Sequence, residues 1–252
     1  TRTELEGLVV LGGDMSHGLA DHLRLHGALV FPTDPHVPIN PYRASLYRSG
    51  ELYEGLTARG YADTPDARAY VWSQDASLGH DIFATLLRAI HDDSMSDALT
   101  EVLVGRTVVG VMGGYALQRG TEEYADAARL GHALADAGHV VVTGGGPGAM
   151  EAANLGAFVG HGSRLDTALD RLAAVPSFRP SIDDWAQVAM DVRTDLREEN
   201  LKGGTSGVRS LGIPTWFYGH EPPNVFCNGI AKYFSNAIRE DALLSRCSGG
   251  LV

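Results

Sequence analysis

"HVVVTGGGPGAMEAANLGAF", residues 139–158, decides how the chain is read. Three consecutive valines suit a strand. They run into Gly144, Gly145 and Gly146, then Pro147 and Gly148, and an alanine-rich stretch that favours helix. The preceding segment repeats the pattern. "RTVVGVMGG", residues 106–114, reads as a strand over 107–112 ending in Gly113 and Gly114. Thr121 is placed to cap the next helix, with Glu122 and Glu123 in the first turn, where negative charge suits the helix dipole. Tyr124, Ala128, Gly131 and Leu134 recur at helical spacing, and Gly138 can end that helix. Two successive β-to-α crossings with uninterrupted apolar strands predict a parallel sheet covered on both faces. The right-handed crossover rule then makes a doubly wound, Rossmann-like α/β sheet the natural solution.

Outward from this core the pattern is looser. Residues 5–13 read as a short buried strand ending in glycine, and residues 15–32 as a helix followed by a second strand. A proline- and tyrosine-rich ordered loop leads from there into a short helix, and residues 76–100 form a longer helix with Ile82, Leu86, Leu87 and Ile90 on one face. Residues 1–100 are accordingly read as a small α/β N-terminal module, and 101–252 as the Rossmann-like domain with a polar, helical insertion at about 160–204. A third strand is expected over 211–218. Asn224 is then expected to cap a helix whose buried face is Phe226, Ile230, Phe234 and Ala237. "GGLV", 249–252, looks like a fourth strand beginning.

Composition narrows the function classes. Of the 252 residues, 31 are acidic and 20 basic, a net charge of −11, which argues against a protein that grips a nucleic-acid backbone. No apolar run is long enough to span a bilayer, so no membrane association is expected. The start "TRTELEGLVVLGG" has no signal-peptide pattern. Cys227 and Cys247 are too few for a disulfide scaffold or zinc cluster, and a reducing, cytoplasmic setting is expected.

In a parallel sheet, ligands bind beyond the carboxyl ends of the strands, where both glycine clusters fall. Glycines let the backbone approach a ligand and adopt positive φ, and the helix beginning near Pro147 offers unpaired N–H groups suited to a phosphate. A tight, closely packed turn with no ligand explains one such cluster equally well; two on adjacent strands shift the reading toward an anion. Residues 144–149 also fit the G-x-G-x-x-A form of a dinucleotide fingerprint, but the acidic residue expected about 20 positions later is replaced by a helical region. No P-loop sequence and no G-x-S-x-G elbow is present. No cofactor and no metal are expected; His17, His22, His26 and His36 lack metal-ligand spacing.

The joined motifs "GVMGGYALQRG", "YADAARLGHALADAGHVVVTGGGPGAMEAANLGA" and, later, "LGIPTWFYGHEPPN" with "IAKYFSNAIRED" resemble the LOG-like family of Rossmann-fold nucleotide-binding proteins, in a longer, bacterial-type form. The resemblance covers about residues 106–158 and 205–252. It implies a nucleoside 5′-monophosphate ligand and phosphoribohydrolase chemistry: water cleaves the N-glycosidic bond to give free base and ribose 5-phosphate. It also implies a homodimer. The family's other signature, P-G-G-x-G-T-x-x-E, would follow Val252, so these residues are expected to hold only part of the active site. The family has also carried a lysine decarboxylase label, but no lysine here stands in a cofactor-binding context.

Carried over residue by residue, the resemblance makes Arg239 the catalytic arginine; a surface arginine pairing with Glu240 or Asp241 is the alternative. Gly113, Gly114 and Tyr115 match the first nucleotide loop, where the family often has serine. Gly144, Gly145, Gly146 and Gly148 match the second, and Met150 a position lining the base, or simply core. In "REENLKGGTSGV", Thr205 is taken as a ligand contact, beside Glu198, Glu199 and Lys202, against a plain solvated loop. His220 and Glu221 follow a strand end, where catalytic groups tend to sit, although His220 can equally brace the loop. A nucleotide-binding sensor without catalysis is the rival to the enzyme.

Overall fold

In a computed structural model, residues 4–160, 164–202, 207–218 and 221–252 are described. The chain begins with β1 (Val9–Leu11), α1 (His17–Leu25) and β2 (Leu29–Phe31), the two strands pairing in parallel as a sheet of their own. β1 was expected to be buried. Instead Val9 and Leu11 are 49% and 47% exposed, because this two-stranded sheet has no second layer over that face. A loop then leads through the short helices α2 (Ser49–Leu52) and α3 (Leu56–Arg59) to α4 (Pro65–Gln74) and the 22-residue α5 (Ile82–Leu103). The buried face of α5 is not the expected one. Leu87 is buried, but Ile82 and Leu86 face solvent, while His91, Asp92, Met95 and Leu99 turn inward.

The regular part follows as expected: β3 (Val108–Val111), α6 (Glu122–Asp136), β4 (Val140–Thr143) and α7 (Ala149–Phe158). Thr121 caps α6 by accepting from the Tyr124 N–H, and Gly138 follows the helix with φ +87°. Next come α8 (Leu165–Leu172) and α9 (Ile182–Lys202), and the chain returns to the sheet through β5 (Ser210–Gly212) and β6 (Gly229–Ile230). α10 (Asn236–Ser245) leads to β7 (Gly250–Leu251). The five strands lie in the order β6-β5-β4-β3-β7, all parallel. The chain therefore winds outward from β3 on one side and returns to its other side for β7, a Rossmann-like doubly wound α/β sheet.

Both faces are covered. Val140 and Val142 of β4 join the main core with Leu155, Trp185 and Leu211, whereas Val141 lies on the opposite face with Val111, Ala135, Ala153 and Ala157. α6 and α7 cross so closely that a Cβ on Gly131 would overlap the Ala153 carbonyl, and one on Gly156 the Ala128 carbonyl. The main core also takes in Leu46, Leu52, Tyr61, Met95, Leu99 and Leu103 from the N-terminal half.

The segment after Asn224 differs from expectation. Phe226 and Ile230 are buried, but on extended chain: Gly229 and Ile230 pair with Leu211 and Gly212, and Ile230 bridges Tyr47. The helix starts only at Asn236, capped by Ser235 rather than Asn224. Four-residue spacing of apolar side chains fits a helix, but here each is buried by a different neighbour. No helix among the described residues is long and apolar enough to cross a membrane.

Candidate functional site

The sequence puts glycines where three elements must meet, and the structure shows what each meets. Gly145 has φ +73°, and a Cβ there would stand 2.6 Å from Pro214 Cδ. A Cβ on Gly144 would strike the guanidinium of Arg239 and lie 2.8 Å from Met150 Sδ; one on Gly146 would be 2.8 Å from Met150 Cε and 3.4 Å from Glu221 Oε2. Gly148, also at φ +73°, lies against the Gly114 carbonyl. Residues 144–148 are thus buried in close packing. Around Gly114, by contrast, no atom lies within 4 Å of a would-be Cβ, and residues 113–115 are exposed. This first loop leaves β3 at the point where the strand order reverses between β3 and β7, the position at which doubly wound sheets bind ligands.

A buried polar network fixes the second loop. Thr143 Oγ1 accepts from the Gly145 N–H at 2.9 Å and donates to Asn154 Oδ1 at 2.6 Å. Asn224 donates to Asn154 Oδ1 (3.0 Å) and to the Gly146 carbonyl (3.1 Å), and its own N–H reaches the Gly145 carbonyl (2.8 Å). Asn154 in turn donates to Ser210 Oγ at 2.9 Å. Asn224, expected as a helix cap, is therefore a brace for the glycine loop. Neither Thr143 nor Asn154 was singled out in the sequence. The signal available was one polar residue in each of two otherwise apolar runs.

Arg239 is turned inward. Its Nε donates to the Ile213 carbonyl at 2.8 Å and Nη2 to the Gly144 carbonyl at 3.4 Å, which links the ends of β4 and β5. Surface pairing with Glu240 is not what occurs; Glu240 accepts from Tyr218 and Asn236. Burial pulls the Arg239 pKa below its ordinary value, with the group remaining charged. Glu221 is half-buried across the loop. Loss of solvent raises its pKa above the usual glutamate value, against the opposing pull of Arg239, Arg179 and Lys232. The structure therefore brings together residues 144–146, Met150, Arg239 and Glu221. Thr205 and His220 lie outside the described residues, and Glu199 belongs elsewhere, beside Arg164 at 3.4 Å.

A cavity of about 340 Å³ opens beside the N-terminus of α7, between Tyr115, Pro147, Gly148 and Arg179. The Arg179 guanidinium lies 5.6 Å from the Tyr115 ring centroid. Its inner wall is an ion pair 1% exposed on each side: Arg119 donates to Glu151 at 2.9 and 2.5 Å, and Tyr124 donates to Glu151 at 2.8 Å. Arg119 also donates to the Trp185 carbonyl at 3.1 Å, which fastens the insertion to α7. Burial opposes the charge of Arg119, but Glu151 and Tyr124 outweigh it and leave its pKa raised. Among the first-turn N–H groups of α7, that of Ala149 is taken by the Gly114 carbonyl at 3.1 Å. The remainder of that turn has no intrahelical acceptor by geometry.

Residues 106–165 match the SLOG cluster4 family. The match spans both glycine loops and the two helices that follow them, supports a SLOG/LOG-like superfamily, and agrees with a nucleotide-binding or nucleotide-processing protein. No curated protein matches the chain.

Proposed function

We propose that the chain binds a nucleoside 5′-monophosphate at the carboxyl ends of β3 and β4, and hydrolyses its N-glycosidic bond to free base and ribose 5-phosphate. The observation that carries this reading is the convergence of Arg239, Glu221 and Met150 on residues 144–146, beside the strand-order reversal. The phosphate would take the N-terminus of α7 and Arg179, which combine N–H donors with a planar cation. In the reaction, the base leaves with a proton from an acid as the C–N bond breaks, water adds its hydroxyl to the anomeric carbon, and the proton that the water releases restores the acid. Positive charge builds on the ribose in such a step. Glu221, whose burial favours its protonated form, is suited to supply the proton to the departing base. Pairing of two copies into a homodimer belongs to the same proposal.

One observation favours a second reading, a nucleotide sensor without turnover: Arg239 is already held by two carbonyls and must turn to reach a ligand. The test separates the two. The 252-residue chain and a chain carried through P-G-G-x-G-T-x-x-E are incubated with AMP, GMP, CMP and UMP, and free base is followed by chromatography. Light scattering on the same samples reports the dimer mass. Base release by the longer chain, lost in Arg239→Ala, is the expected result. Binding by calorimetry without release from either chain would sink hydrolysis of these substrates and leave the sensor.

A further inference from the structure

A second cavity, of about 430 Å³, lies at the opposite end of the sheet, where β5 and β6 begin. Four arginines line it: Arg48 just before α2, Arg193 and Arg197 one turn apart on α9, and Arg209 just before β5. Phe158 and Asn228 are among its other lining residues, and no acidic side chain among the described residues lines it. In a chain of net charge −11 such a concentration is not a by-product of composition.

The partners of these arginines leave most of their charge uncompensated. Arg209 Nη2 pairs with Asp136 at 2.7 Å, but its buried Nε has no hydrogen-bond partner. Arg193 donates to the carbonyls of Val225 (2.7 Å) and Cys227 (3.4 Å) and lies 5.0 Å from the Phe158 ring centroid. Carbonyls and a ring face orient a guanidinium without neutralising it. Among the described residues, Arg48 and Arg197 make no ion pair. The nearest acid on α2, Glu51, is held by Arg43 at 3.4 Å and by the Arg48 N–H at 2.7 Å. Burial, together with the like charges of Arg197 and Arg48, opposes protonation of Arg193 even though Cys227 favours it. Arg48, Arg193 and Arg197, the three lining arginines without an acidic partner among the described residues, repel one another across one cavity of this size unless an anion sits between them.

We infer that this arginine-lined cavity is a second ligand site, distinct from the glycine loops, for a small molecule carrying a diphosphate group. A diphosphate carries more charge than a single phosphate. It can also reach both α9 arginines, whose positions four residues apart place them on one helix face. Forked guanidinium donors match phosphoryl oxygens in pairs. The cavity leaves room for an organic group against Phe158.

Inorganic pyrophosphate is the probe, titrated calorimetrically into the 252-residue chain at low salt, with ADP in a parallel series. Arg48 and Arg197 are exposed and make no ion pair among the described residues, so Arg48→Gln and Arg197→Gln are expected to fold with unchanged melting temperature. Each should weaken pyrophosphate binding at least tenfold. Arg171→Gln, whose arginine pairs with Asp195 on a neighbouring surface, should leave it unchanged. ADP tighter than pyrophosphate and equally sensitive to Arg197→Gln would give the nucleoside a share; equal affinities would assign the site to the diphosphate alone. No pyrophosphate binding at millimolar concentration overturns the inference. So does binding that survives Arg197→Gln but is lost in Arg239→Gln, since the anion would then lie at the glycine loops.

Discussion

At φ +73° and with Pro214 Cδ 2.6 Å from where a Cβ would stand, Gly145 can carry no side chain without moving β5. Gly145→Ala is therefore expected to cost about 2–4 kcal/mol, the sum of a left-handed backbone and an overpacked contact, read as a lower urea midpoint. Glu221 makes a different prediction. Its pKa is raised on folding, so the folded state holds the proton longer than the unfolded one. The stability that this proton provides is full at low pH and is lost as pH rises from the unfolded glutamate pKa through the folded value. Melting curves of Glu221→Gln and the unaltered chain should thus diverge upward through that window, the variant becoming relatively more stable; parallel curves would show Glu221 to be solvated. At this scale the sequence was legible where chemistry is local. Gly144, Gly145 and Gly148 declared a tight turn, whereas Arg239 was singled out by the family resemblance and not by any local pattern. Arg179 and the Thr143–Asn154–Asn224 network were not legible, because their meaning comes from distant partners: the Asn224 side chain reaches Asn154, 70 positions back, and its N–H reaches Gly145, 79 positions back.

α10 hangs from a carboxylate that belongs to another element. Asp92 of α5 accepts the Phe234 N–H at 2.9 Å and the Ser235 N–H at 2.8 Å, and His91 Nδ1 stands 3.0 Å from the same side chain. This fixes the start of the helix that carries Arg239 three residues further on. Asp92→Ala strands two N–H groups with little access to water, and a loss of about 2–4 kcal/mol is expected. It should be measured by urea unfolding, with nucleotide affinity falling in parallel if Arg239 is displaced. Elements whose periodicity and caps are self-contained were readable in advance: β3, α6, β4 and α7 all lie where their valines, Thr121 and glycines put them. The segment from 225 to 235 was not, because Phe226, Ile230 and Phe234 satisfy helical spacing by coincidence. Pairing with β5 and the bridge to Tyr47 supply an alternative that no local pattern announces. The inward face of α5 escaped for a related reason. His91 and Asp92 are polar, and distant partners make them core residues: Tyr47, 2.8 Å from His91 Nε2, the rings of Trp216 and Phe234, and the α10 start.

Over the whole molecule, one core runs from Leu46 to Leu243, while of the hydrophobic side chains of residues 4–45 only Ile39 packs against it, together with the Arg43 guanidinium 3.7 Å from the Tyr47 ring centroid. A chain beginning at residue 46 is accordingly expected to unfold cooperatively with a melting temperature within a few degrees of the full chain. A chain beginning at residue 104 would bare the sides of Trp216 that Tyr47, Asp66 and His91 help to enclose, and should fail to give a cooperative transition. A surviving transition in the second chain would show residues 104–252 to be self-sufficient. The same core explains how α9 is held along its length. Trp185, in its first turn, backs the cavity beside the glycine loops, and Arg197, twelve residues later, lines the cavity at the other end of the sheet. At 1.5 Å of rise per residue the two positions are about 18 Å apart on one rigid rod. A rod gripped at both ends transmits tilt and slide with little loss. If a molecule in either cavity shifts it, thermodynamic reciprocity requires the two affinities to change by the same factor, so that the insertion would act as a beam by which each end of the sheet weighs the occupancy of the other.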